Sequence, residues 1–468
     1  MLSESIRQTM ELYYDLRRIV TEKKIEESII DINQKWLKNS NFVFSVYSDN
    51  NQNSSFPFSF SPFLICQKDS RVLSDICNKM TTILEKIIDK YVEGDKNLDE
   101  FFNVYRPFKP FFSKIAGKWL SIARYDFMID QNYRLKFTEF NTSSPGLLLI
   151  WPETEKTLNT FICQNKIFSN KLILQPYSKP HSFENYLFNL EKCSNTNPGL
   201  IAFLYDTNKL QTELHEMKRR VEKLGRKAYV GSVEDLTYKN GKLYILNQEV
   251  SIIYNNFFLT GENLDLTKKS PWLMNTESFL NDHRYSALFH GIKNNSCVVV
   301  IGFPALTIIE DKNIFLLLND KKFSYLFSDK EKLFIAKHIP KSVNLNSNNI
   351  INSYNKFIKN KNNLVLKLRT SGMGWGVYIG NQISDSEWVI LLNKYLENAI
   401  IQEYINGIKF PAIVISKKEK LITNDMNVIL SMYSYSGEYY GCVSRVSISK
   451  VTNLIRGFLQ PVYEIKCE

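Results

Sequence analysis

Apolar residues recur at helical spacing from the start of the chain. Ile6, Met10, Tyr13, Leu16 and Val20 predict one amphipathic helix, and Ile25, Ile29, Ile32 and Leu37 predict a second. The stretch NSNFVFSVYSDNNQNSSFPFSFSPF mixes aromatics with turn formers and reads as a connection. Helical spacing returns over 70–92, with Leu73, Ile76, Met80, Ile83, Leu84, Ile87 and Ile88. RYDFMIDQNYRLKFTEFN, residues 124–141, alternates apolar and polar positions around a polar QN. That pattern predicts a β-hairpin, broken afterwards by SSPGLL.

Further along, GLIAFLYD is a buried-strand pattern, NKLQTELHEMKRRVEKLG a charged helix stopped by Gly225, and KAYVGS a second strand. Strand–helix–strand order predicts an α/β layer with a parallel pair. Asn240-Gly241 marks a hairpin turn before a strand at 251–254. CVVVIGF, 297–303, reads as another buried strand, leading through Pro304 to a helix around KNIFLLLN. The asparagine-rich segment 342–363 reads as a loop or a short helix at a domain boundary. LVLKLRTSGMGWGVYIG, 364–380, then opens a strand–loop–strand unit. There is no internal repeat. The expected division is a mainly helical region 1–110, a core part 111–198 carrying the hairpin, an α/β unit 199–304 and a final unit 305–468.

With 468 residues, 44% hydrophobic and 23% charged, the chain has ample material for several cores and the charge content of a globular protein. Its net charge of +11 suits either a lysine-rich solvated surface or an anionic partner. No compact Arg/Lys tract occurs, so a nucleic-acid surface is not expected. The seven cysteines are scattered and never form a CxxC pair, and the five histidines form no HExxH. This argues against a disulfide framework and a zinc site. No run reaches the roughly 18 apolar residues needed to span a bilayer, and the amphipathic N-terminus is unlike a signal peptide. The expected setting is soluble and cytoplasmic.

The hairpin carries the first candidate chemistry. Alternate residues of a strand share a face, so Arg124 pairs in direction with Asp126, and Glu139 with Asn141. A tight turn at Asn132-Tyr133 would set Asp126 opposite Glu139 and Arg124 opposite Asn141. Two carboxylates and a carboxamide oxygen are hard ligands of the kind Mg²⁺ prefers, and the guanidinium suits phosphate. The same four residues also fit a surface hairpin with one cross-strand ion pair. In 364–380, Lys367 precedes Gly372, Gly374 and Gly376, whose backbone allows close approach to a phosphate. The same glycines fit a flexible turn. Gln402, Glu403, Tyr404 and Ile405 end an apolar strand that fits either an adenine-binding edge or an ordinary edge strand. Arg445, in GEYYGCVSRVS, is either a second phosphate clamp or a surface arginine.

In this order the elements resemble the ATP-grasp fold in circularly permuted form, most like glutathionylspermidine synthase-type ligases. The resemblance rests on Arg124-Tyr125-Asp126-Phe127, Glu139-Phe140-Asn141, Ser144-Pro145-Gly146, VEDLTYKNGKLYILNQEVSIIYNNF and GFPALTIIEDKNIFLLLND, and spans about residues 55–450. It implies an α/β (α+β) fold with a Rossmann-like strand–helix–strand layer and a helical N-terminal region. Asp126, Glu139 and Asn141 would hold Mg²⁺, and Arg124 would contact the transferring phosphate. Lys312 and Lys367 would bind the nucleotide phosphates of ATP, with Lys330 a rival to Lys312. The Gly372–Gly376 loop would close over them, Gln402 to Ile405 would form the adenine hinge, and Arg445 would face the γ-phosphate or acyl group. Two departures stand out. Tyr254-Asn255-Asn256 replaces a basic family pattern, and no amidase domain with a paired Cys and His is present.

The implied activity is ATP-dependent ligation of a small-molecule or peptide carboxylate to an amine through an acyl phosphate, with no nucleic acid or membrane partner. A phosphotransferase on the same fold, or a catalytically silent nucleotide-binding scaffold, are the alternatives.

Overall fold

The computed structural model describes residues 2–466 apart from 21–22, 40–42, 45–53, 143–144, 147, 165–174, 177–181, 195, 206–210, 257–275, 347–353, 373, 417–418 and 452–456. Ser144 and Met373 therefore lie outside the described residues. The two N-terminal helices form as the apolar spacing predicts, Ser3–Val20 and Lys23–Asn39, and bury Leu12, Leu16 and Ile29.

A long helix, Gln67–Val92, buries Met80, Ile83, Leu84, Ile87 and Ile88. It lies behind an antiparallel sheet whose strand order is Phe458–Gln460, Glu438–Ser447, Leu421–Tyr435, Ile122–Ile129 and Leu135–Asn141. Thr81 of the helix hydrogen-bonds Tyr125 of the sheet at 2.8 Å. Strand alternation therefore points Tyr125 and Phe127 at the helix and Arg124 and Asp126 away from it. The sheet joins the hairpin to strands some 300 residues later, so the segments 111–198 and 305–468 share it.

A second sheet runs Ala228–Ser232, Leu200–Tyr205 and Gln248–Asn256 in parallel, continued by the hairpin strands Lys242–Ile245 and Thr237–Lys239. Its helix, Gln211–Lys223, supplies the crossover a parallel pair needs. The strand expected over 297–303 is only Val298–Val299, and a π-helical turn follows at Ala305–Ile309. Asn255 explains the shortening. Its amide nitrogen donates to the Ile301 carbonyl at 3.0 Å and its amide oxygen accepts from the Ile301 N–H at 3.1 Å, doing by side chain what a ladder would do.

A third, antiparallel sheet has the order Ser342–Leu345, Ala399–Glu403, Leu364–Leu368 and Val377–Ile379. It has its own apolar cluster, with Leu366, Leu368 and Ile401 packed on Trp388 and Leu392 of the helix Asp385–Lys394. Two expectations need correction here. The asparagine-rich segment begins as a strand rather than a loop or helix, although a helix does follow over 354–359. The Ala399–Glu403 strand is interior, because Ser342–Leu345 supplies the partner that a sequence-local view leaves unseen.

Among the described residues, no helix is long and apolar enough to cross a membrane. Cys66 is disulfide-bonded, a pairing that the scattered cysteine spacing does not signal.

Candidate active site

The hairpin pairs Arg124 with Asn141 and Asp126 with Glu139, as expected, but by a different route. Asp130 N–H donates to the Arg134 carbonyl at 2.9 Å and Tyr133 takes a positive φ of 57°, so the loop has three residues rather than two. The register then breaks between Asp126 and Phe127, where Phe127 faces Phe137 and Thr138 is the extra residue of a β-bulge. Loop and bulge each shift the strand by one residue, and the shifts cancel at the site.

Asp126 is buried and heavily engaged. Arg124 donates to it from Nε at 2.9 Å and Nη2 at 3.3 Å, Arg445 from Nη2 at 2.6 Å, and Ser431 from Oγ at 2.7 Å. Burial alone would raise its pKa, but the guanidiniums of Arg124 and Arg445 overcome that and hold it down at about 2. Burial disfavours the charged Arg124 as well, and Asp126 outweighs it, so its pKa is raised. Arg124 also donates to the Gly146 carbonyl at 3.2 Å, an acceptor shared with the Tyr433 hydroxyl at 2.6 Å.

Beside this knot lie two lysines from other segments. Lys312 Nζ is 3.0 Å from Glu139 Oε1 and also donates to the Ser371 carbonyl. Lys367, on the Leu364–Leu368 strand, donates to the Thr138 carbonyl at 2.9 Å and to Gln402 Oε1 at 2.7 Å. The bulge frees that carbonyl from the ladder. Burial lowers the Lys367 pKa to about 8, with Glu139 opposing and Lys312 reinforcing the shift.

The glycine loop connects Leu364–Leu368 to Val377–Ile379. Gly374 and Gly376 have φ of 77° and 65°, and a Cβ at Gly376 would meet Leu368 Cδ1 at 2.4 Å, so glycine is required there on both counts. Gly372 accepts from the Trp375 N–H at 3.0 Å. Of the hinge residues, only the Gln402 side chain joins the lysine cluster. Glu403 is exposed and its N–H donates to the Lys341 carbonyl, Tyr404 N–H donates to that of Asn363, and Ile405 is buried. Lys330 is elsewhere, exposed on the helix Asp329–His338 beside a hollow lined by Asp75, Lys79, Phe334 and Lys337.

Sequence reasoning missed Ser431 and Tyr433, which share the Asp126 face because Leu421–Tyr435 pairs with the hairpin. Their alternation in SMYSY is a strand signal, but only the partner register makes it a site signal. It also missed Arg369, Asp311 and Tyr105, described below, which carry no motif.

Whether these residues suit a nucleotide and a metal can be judged from their chemistry. Arg124, Arg445, Lys312 and Lys367 bring four cationic groups against the carboxylates of Asp126 and Glu139. Arg445 Nε and Asn141 Nδ2 are buried donors without a partner. An excess of positive charge with unspent donors fits a polyphosphate. For Mg²⁺, Glu139 and Asn141 are the better placed ligands, since the carboxylate of Asp126 already serves two guanidiniums. Among the described residues, no three His, Cys, Asp or Glu side chains group as a metal site by themselves. Phosphate oxygens would have to complete the shell.

No protein-family model and no curated protein matches the sequence. Solved structures do. The apo form of a glutathione synthetase-like effector, GSS30 from Globodera pallida, aligns over 94% of this chain and 96% of its own with a TM-score of 0.58 at 12% identity. The mixed α/β architecture is consistent with an ATP-grasp-like fold. A D-alanyl-alanine synthetase A from Vibrio cholerae aligns over 56% of this chain and 88% of its own at 8% identity, with a TM-score of 0.28 that carries no argument.

Proposed function

We propose that the chain is an ATP-dependent carboxylate–amine ligase built on a circularly permuted ATP-grasp fold. The observation that carries this is the meeting of Arg124, Arg445, Lys312 and Lys367, from four separate segments, around Asp126 and Glu139, with Arg445 Nε and Asn141 Nδ2 still unpartnered. The likeness to a glutathione synthetase-like protein supports the fold part of the reading.

ATP would supply the phosphoryl group that converts a substrate carboxylate into an acyl phosphate open to attack by an amine. The protein's part is placement and charge neutralisation. Lys312 and Lys367 neutralise phosphate oxygens, while Arg124 and Arg445, fixed by Asp126, present guanidinium edges to the transferring group. Glu139 and Asn141 would hold Mg²⁺, joined by Asp126 where a guanidinium gives way. The loop Gly372–Gly376 excludes water, and Gln402 to Ile405 border the base. No side-chain nucleophile is needed, in keeping with the scattered histidines.

The test is an ADP-release screen over pairs of acids and amines, including amino acids, short peptides and polyamines, with mass detection of a condensed product. ADP release that requires both an acid and an amine is the expected result. A stable phosphorylated product from one substrate alone would make the protein a kinase instead.

A further inference from the structure

Asp311 is a buried carboxylate next to the nucleotide lysine, and the proposed chemistry does not use it. Its side chain has no solvent exposure. Tyr105 donates its hydroxyl to Oδ2 at 2.7 Å, Arg369 donates Nη2 to the same oxygen at 2.8 Å, and the Asn313 N–H donates to Oδ1 at 2.9 Å. These groups come from three parts of the chain. Tyr105 lies in the 3₁₀ segment Asn103–Phe111, Asp311 precedes the helix Asn313–Asn319, and Arg369 follows the strand Leu364–Leu368.

Arg369 stands at the foot of the glycine loop. Its carbonyl accepts the Lys312 backbone N–H at 3.0 Å, and two residues on, the Ser371 carbonyl accepts the Lys312 ammonium. Lys312 is therefore tied to the loop by backbone and side chain, and Arg369 is tied back to Asp311, the neighbour of Lys312. The result is a closed ring of contacts through Asp311, Lys312, Arg369 and Ser371, anchored to the large core by Tyr105. Burying a carboxylate is costly unless its partners are well placed, and here two of them, Arg369 and the Asn313 N–H, lie on the two elements that would have to meet the phosphates.

We propose that Asp311 is a positioning residue that, clamped between Tyr105 and Arg369, holds Lys312 and the foot of the glycine loop in one frame so that both reach the nucleotide phosphates together. This rests on the nucleotide site proposed above. Without the clamp, each contact to phosphate would be made by an element that first had to be ordered.

Two measurements on the full chain test it, using Tyr105→Phe as a mild variant and Arg369→Gln as a strong one, with melting temperature as the check on folding. The first is hydrogen exchange over 369–380 without nucleotide. Both variants are expected to speed it, Arg369→Gln more than Tyr105→Phe. The second is Mg-ATP affinity by calorimetry, expected to fall about tenfold in Arg369→Gln, the scale of one charge-assisted hydrogen bond. In a double-mutant cycle, Lys312→Ala with Arg369→Gln should lose less affinity than the sum of the two single losses, a coupling that a purely structural ion pair would not produce. Unchanged exchange in both variants, or fully additive losses of affinity, would overturn the clamp. If the wild-type chain binds no Mg-ATP, the nucleotide reading fails, and the exchange comparison still decides the clamp.

Discussion

The hairpin sheet and the third sheet, the lid sheet that carries the glycine loop, bring the same kind of residue to the site in opposite electrical states. On the hairpin sheet, Arg124 and Arg445 close on Asp126, and the charges answer one another inside the protein. On the lid sheet, Lys367 is just as buried yet donates only to a backbone carbonyl and a carboxamide, both neutral. The first arrangement is a frame finished before any ligand arrives. The second is a cation on neutral acceptors, and burial, with Glu139 opposing it, depresses its pKa. The strands of Asp126 pair their cations with a carboxylate and leave single donors over, Arg445 Nε and Asn141 Nδ2, whereas the lid holds a whole cation on neutral acceptors.

The hardest blow to this contrast would fall on Asp126. Asp126→Ala strands two buried guanidiniums, so unfolding in denaturant should show a loss of about 3–5 kcal/mol together with loss of ATP turnover. Glu139→Gln is the control: partly exposed, with one lysine contact, it should cost under about 1 kcal/mol in stability. Its ATP turnover should nevertheless fall by roughly a hundredfold, as when a group acting on developing charge is removed. Equal melting of the two variants would erase the distinction between frame and contact.

A smaller effect separates the rival lysines. Lys312→Ala should weaken Mg-ATP binding by about tenfold or more, whereas Lys330→Ala, on the far helix, should leave the calorimetric titration unchanged.

Smaller again is the pH dependence of the lid. Lys367 loses its proton around pH 8 in the free protein against 10.5 in the unfolded chain. Between those values the unfolded chain holds more protons, so this group's contribution to stability grows as pH rises. Nucleotide affinity should move the other way and decline above pH 8 as the ammonium is lost, while Lys367→Arg should flatten the decline. The Asp126 carboxyl, also lowered, to about 2, has the same sign in a lower window: its stabilisation is full above about pH 4 and is lost as pH falls toward 2.

Much of this was legible in the sequence wherever periodicity carried it. The helix Gln67–Val92, the site hairpin and the parallel strands around Gln211–Lys223 follow from spacing alone. The pairing of Asp126 with Glu139 was legible too, but partly by luck, since a three-residue loop and a bulge offset each other. What could not be read was long-range. Ser431 and Tyr433 matter because of a strand pairing across some 300 residues. The Ala399–Glu403 strand looks like an edge until Ser342–Leu345 is placed beside it, and Asn255 truncates its neighbour through a side-chain amide that no periodicity encodes.

The bulge at Thr138 has one more consequence, for anyone scanning this protein by substitution. Lys367 is anchored there on a main-chain oxygen, which every amino acid possesses. A residue-by-residue replacement series would score position 138 as forgiving, however much depends on it. Removing Thr138 outright is a different experiment. It would return the strand to even pairing, remove that oxygen altogether and leave the lysine without its anchor. The position's importance is written in chain length, not in side-chain identity.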